Sequence, residues 1–130
     1  MACFLVSAAE AAVVTAVEKS VEKKELAAGK SGTHTAEASI PLSRKLKWLR
    51  WMLVGGSVLL MFEHIWHGEV VPWFPFLTAM ADPADAAEMI HEMATVGVAM
   101  AALVTLVWSG MCLASDAIVK RSAAAAHTSM

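Results

Sequence analysis

The sequence predicts an all-α integral membrane protein: an antiparallel transmembrane helical hairpin plus an N-terminal membrane or interfacial helix. Mean hydropathy is +0.58 and 58% of the 130 residues are hydrophobic, too apolar for a soluble domain of this size. All ten Lys and Arg lie within 19–50 or at Lys120 and Arg121, so Trp51 to Val119 carries none. That basic-free stretch holds two long apolar runs joined by an acidic, aromatic segment.

Residues 1–28 are expected to form the first helix. Ala2 to Val17 are apolar except for Glu10. About sixteen residues reach only roughly 24 Å, short of the roughly 30 Å hydrocarbon core, so a short spanning helix and an interfacial one both fit. No Lys or Arg precedes Lys19, so a cleaved secretory signal is not expected. Glu18, Lys19, Glu22, Lys23, Lys24 and Glu25 then alternate at spacings that continue a solvated helix to about Ala28. Residues 29–43, rich in Gly, Ser, Thr and Ala and closing near Pro41, read as a flexible cytoplasmic linker.

The hairpin is expected over 44–121, with helices of about 44–68 and 83–120. Arg44, Lys45, Lys47 and Arg50 open its first helix, whose helical pattern reaches back to Leu42, and Pro72 and Pro75 forbid continuation. In the loop 69–82, Trp73, Phe74 and Phe76 join Trp66 as rings suited to a membrane interface. Asp82 as N-cap, Pro83 at the first helical position, and Asp85 and Glu88 in the early turns mark the start of the next helix. Met93 to Ser115 are uncharged and long enough to span. The Ala-rich tail 122–130 is expected to be disordered.

Basic residues flank the start of the second helix and the end of the third. The positive-inside rule therefore predicts a multi-pass protein of the cell (inner) membrane, with linker and C-terminus cytoplasmic and the acidic loop outside. If the first segment spans, its amino terminus lies outside; two spanning helices plus an interfacial one is the alternative.

On a regular 100° wheel, Ala94, Val98, Ala102, Thr105, Ser109 and Cys112 share a side with His91. On the second helix His67, Leu60, Ser57, Gly56 and Leu53 share a side with His64, while Trp48, Trp51, Val58, Leu59, Phe62 and Trp66 point away. Gly56, Ser57, Ala94, Val98, Ala102, Thr105 and Ser109 are thus the expected packing residues, small side chains that let two helix backbones approach. In that hairpin the histidine-bearing faces meet.

Facing imidazoles would bring Glu63, His64 and His67, with Glu69 just beyond, to a depth similar to that of Glu88, His91 and Glu92. Imidazole and carboxylate donors suit a divalent transition metal (Zn, Fe, Mn, Co or Ni), so Glu63, His64, His67, Glu88, His91 and Glu92 are the candidate metal ligands. The same residues equally suit helix capping or interfacial hydration. The depth match is imperfect: His67 to Arg50 spans about 25 Å and His91 to Asp116 about 37 Å. Haem b is the alternative cofactor, with His64 or His67 opposite His91 as axial ligands. Met89, His91 and Met93 form a copper-like pattern, but on a helix the imidazole points away from both thioethers.

Glu10 is a possible intramembrane polar site. If its segment spans, the carboxyl needs a partner such as Ser109, Thr105 or a neighbouring subunit. Cys3 and Cys112 indicate neither a disulfide framework nor a thiolate metal site. Six acids between Glu63 and Glu92 without a single cation make nucleic acid an unexpected partner. No nucleophile paired with a base is evident, so an enzyme is not expected. Two or three helices cannot enclose a transport path alone, so a homo-oligomer or a larger membrane complex in the lipid bilayer is expected. Metal binding with a transport or ion-handling role is the leading expectation. A haem-bearing electron-transfer subunit and a structural or accessory subunit are its rivals.

Overall fold

The computed structural model describes residues 2–29 and 40–128. Helix α1 runs Phe4–Ala27 and helix α2 Leu42–Trp66. A 3-10 turn at Thr78–Ala81 leads to α3, Pro83–Glu92, then a π turn at Met93–Gly97 and α4, Val98–Thr128. These last three elements form one rod, Pro83–Thr128, of 46 residues, which is long and apolar enough to cross a membrane. The described residues are all-helical apart from loops and one isolated bridge, Val70 to Leu77.

The packing stripes are set by helical period. On α1 the buried residues are Ser7, Ala11, Val14 and Glu18; on α2 they are Leu46, Leu49, Leu53 and Ser57. These stripes meet in a core of Ala11, Val14, Leu46, Leu49 and Leu53, on which Val21, Val104 and Trp108 close. The main pairing is therefore α1 with α2, and the long rod lies more lightly against both. The sequence-based hairpin placed α2 directly against the third helix; that contact is present but light, and α1, with its small residues on one stripe, is the main neighbour of α2.

Helix α1 is antiparallel to α2, since Phe4 lies beside His64 while Glu18 reaches Arg50 and Glu25 reaches Ser43. The rod runs parallel to α1: Gly97 abuts Val6, Thr105 meets Glu10, and Asp116 meets Lys45 of α2.

The end holding the basic residues is tied by polar contacts. No side chain of Pro41 caps α2, and Glu25 supplies the missing acceptor: it takes the Ser43 hydroxyl at 2.5 Å and the Ser43 backbone N–H at 3.4 Å. A carboxylate there also favours the positive end of the helix dipole. Lys45 Nζ lies 2.7 Å from Asp116 Oδ2, the Trp108 indole N–H donates to the Lys45 carbonyl at 2.6 Å, and Arg50 pairs with Glu18 at 3.3 Å.

At the other end Gly68, with φ +73°, terminates α2 in a Schellman motif: its N–H donates to Ile65 O and the Glu69 N–H to His64 O. The loop closes on itself through Val71 N–H to Phe76 O and Thr78 N–H to Glu69 O. It folds over the first turn of α1, where Ala2, Ala79 and Met89 form a second small core. Asp82 caps α3 by accepting the Ala84 N–H at 2.8 Å.

The expected disordered tail begins at residue 122, but α4 continues to Thr128. Its run of Ala123 to Ala126 has the highest intrinsic helix propensity of any residue type and no Pro or Gly to stop it. The linker 29–43 falls mostly outside the described residues, and α2 already starts at Leu42.

Candidate functional site

The sequence-predicted ligands sit at the loop end. His64, half-buried on the last turn of α2, has Nδ1 at 2.9 Å from Glu69 Oε2, and its ring lies 5.6 Å from that of Phe4. The Schellman motif explains the pairing: it folds the third residue past the helix back against the third from its end, and here those positions are Glu69 and His64. His64 Nε2 is buried and has no hydrogen-bond partner among the described residues. Glu63, His67, Glu88 and His91 are exposed, and Glu92 is half-buried. Among the described residues, no three His, Cys, Asp or Glu side chains come together as a metal-holding group.

Two geometric facts keep the imidazoles apart. The first is depth. Phe4 lies beside His64 and packs with Met89 and Met93, and the adjacent Cys3 backbone approaches Gly97, so His64 faces the π turn. His91 stands just before that turn, toward the loop. The second is rotation. In the π turn the Val98 N–H reaches back to Met93 O rather than to residue 94, which inserts one extra residue. Everything beyond it turns by about one residue, roughly 100°, relative to a regular helix. Hence His91 and Ala94, which a regular wheel places on the stripe of Thr105, Ser109 and Cys112, are exposed while those three are half-buried; Val98 and Ala102, beyond the turn and in phase with Thr105, are exposed as well, and the rotation does not account for them. The Thr95 hydroxyl donates to the His91 carbonyl at 2.8 Å within this irregular turn. On α2, Leu53, Ser57 and Leu60 turn inward beside His64 as the wheel predicts; His67 does not, and Trp48 is half-buried rather than outward. Met89 is buried and His91 exposed, so the copper-like pattern does not converge.

A second polar site lies mid-bundle. The Thr105 hydroxyl donates to Glu10 Oε1 at 2.6 Å and lies 3.0 Å from the Ala101 carbonyl, while Ser109 Oγ donates to Thr105 O at 2.9 Å. Beside it a cavity of about 250 Å³ opens between the helices, lined by Ser7, Leu53, Gly56, Leu60, Met100 and Val104. Its wall is almost wholly apolar.

No protein-family model, curated protein or solved structure matches this chain. What it can do chemically rests on these contacts alone. They comprise a carboxyl–hydroxyl pair between α1 and α4, one oriented imidazole, and a polar clasp at the basic end.

Sequence reasoning missed two members of that clasp. Trp108 is the one tryptophan inside the uncharged run 93–115, and its indole N–H needs an acceptor in apolar surroundings. Asp116, read only as the end of that run, is the partner of Lys45.

Proposed function

We propose that the chain is a multi-pass protein of the cell membrane, with all three long helices crossing and the acidic loop outside, that serves as a non-catalytic subunit of a homo-oligomer or larger membrane complex. The observation that carries this is the outward face of α4. Small Ala99, Ala102, Gly110, Ala114 and Ala117 alternate there with exposed Leu103, Leu106 and Leu113, and an added Cβ at Gly110 would meet nothing. In lipid, helices associate through close backbone approach at such small residues. Only 11% of the rod's apolar window is buried within the chain, which leaves that face for lipid or another helix. The test is native mass spectrometry of protein released directly from membranes into nanodiscs. The wild type should run as an assembly, and Gly110→Leu with Ala114→Leu should release the single chain. A single chain in both forms would remove the subunit role.

Metal or haem binding is the second reading, favoured by the buried Nε2 of His64 with Nδ1 held by Glu69. A carboxylate behind an imidazole is the usual support for a ligating nitrogen. The remaining ligands would come from a neighbouring subunit. Elemental analysis and a visible spectrum of the assembly should then lose their metal or Soret signal in His64→Ala.

A further inference from the structure

We infer that Glu10, Thr105 and the Ala101 carbonyl form a proton-binding site between α1 and α4. The inference rests on the membrane-spanning topology proposed above, which takes bulk water away from the carboxyl.

The Thr105 hydroxyl has one proton and two acceptors in reach, Glu10 Oε1 at 2.6 Å and Ala101 O at 3.0 Å. When Glu10 is a carboxylate, the hydroxyl donates to it. When Glu10 carries a proton, its O–H donates to Thr105 Oγ, and the hydroxyl turns its own proton to Ala101 O. Both states pair every donor with the same heavy-atom positions, so a proton is gained or lost without moving a helix.

Among the described residues, no cation pairs with Glu10. On α2 the opposing stripe is Leu46, Leu49 and Leu53; its nearest cations, Lys45 and Arg50, are held by Asp116 and Glu18. On α4 the first charged residue beyond Thr105 is Asp116, and the π turn Met93–Gly97 carries none. On α1 the next charge is Glu18, paired with Arg50. A carboxyl so placed is costly as a lasting anion in hydrocarbon, which makes the two-state pairing consequential. Ser7 and Val104, which line the apolar cavity, adjoin Glu10 and Thr105 along their helices and give small apolar reagents a path.

The test uses the full chain in lipid nanodiscs. Infrared difference spectra across an acid-to-alkaline titration are combined with labelling by the apolar dicyclohexylcarbodiimide, mapped by mass spectrometry. The expected result is a titrating carboxylic C=O band that is absent in Glu10→Gln, displaced in Thr105→Val and restored in Thr105→Ser. Glu10 should be labelled by the apolar reagent and spared by a water-soluble carbodiimide. Spectra identical in the wild type and an inserted, helical Glu10→Gln variant would overturn the site and leave the topology intact. Extraction of the chain by alkaline carbonate, with equal labelling by both reagents, would instead overturn the topology and the site with it.

Discussion

Asp116 sets the register between α2 and α4, because among the described residues its ion-pair partner is Lys45, which belongs to the other helix. The hydrogen bond from Lys45 holds the Asp116 carboxyl below the usual aspartate range; partial desolvation pushes the other way and is outweighed, with the Lys45 charge, the Ile40 backbone and Lys120 adding to the lowering. A carboxyl whose folded value is depressed stabilises the fold fully above the ordinary aspartate range. As pH falls through that range the unfolded chain protonates first, and the contribution is gone once the folded carboxyl has also taken its proton. Asp116→Asn should therefore lower the thermal midpoint at neutral pH, and the gap from wild type should close on acidification. A gap that persists in acid would mean that the pair matters for shape rather than charge.

At the scale of elements, the π turn is the feature that most changes the molecule. Gly97, its last residue, is buried where the rod crosses α1. A Cβ placed there would lie 2.8 Å from Val6 Cγ2, 3.3 Å from Val6 Cβ and 3.4 Å from the Cys3 carbonyl oxygen. Replacing Gly by Ala in a helix gains about 1 kcal/mol in propensity, whereas overpacking costs about 1–3 kcal/mol. Val6 is β-branched and stiff at χ1, so the overpacking term should win. Gly97→Ala is expected to destabilise the fold in chemical unfolding, and Val6→Ala in the same chain should recover most of the loss. Recovery failing, or Gly97→Ala proving stabilising, would show that α1 does not approach the rod this closely.

That crossing also marks where the sequence stops being legible. The start of α3 could be read from Asp82 and Pro83, because a cap and a helix-opening Pro are local signals. The inward side of α2 could be read as far as His64. The partner of that side could not, because Ala11, Val14 and Ser7 form too weak a stripe to announce α1 as the main neighbour. The π turn left no trace in the sequence either. No Pro marks it, and a wheel turned at 100° per residue carries His91 onto the side of Thr105, which the extra residue undoes. Of the candidate site, Glu10 and its need for a hydroxyl partner were readable from one acid in an apolar run. The expected convergence of six ligands depended on both phase and depth, and neither is a local property.

For the whole molecule, the proposed topology turns on α1. Its apolar run alone falls short of the hydrocarbon thickness, but Phe4–Ala27 has 24 residues, roughly 36 Å of helix, and two acids of its charged half turn into the bundle, Glu18 to Arg50 and Glu25 to Ser43, while Lys19, Glu22, Lys23 and Lys24 stay exposed. A spanning α1 puts exposed Val13 against acyl chains; an interfacial α1 leaves it open to water. Single cysteines in a Cys3→Ala, Cys112→Ala background separate these outcomes. With a membrane-impermeant maleimide on intact cells, Ala84→Cys beside the outer loop should label at once. Ala28→Cys, past the end of α1, should label only after permeabilisation, and Val13→Cys should resist in both conditions. Rapid labelling of Val13→Cys would leave a two-span hairpin with α1 on the membrane surface, whereas labelling of Ala28→Cys in intact cells would reverse the sidedness. The acidic loop would then face the cytoplasm, and the segregation of Lys and Arg would need a cause other than the positive-inside rule.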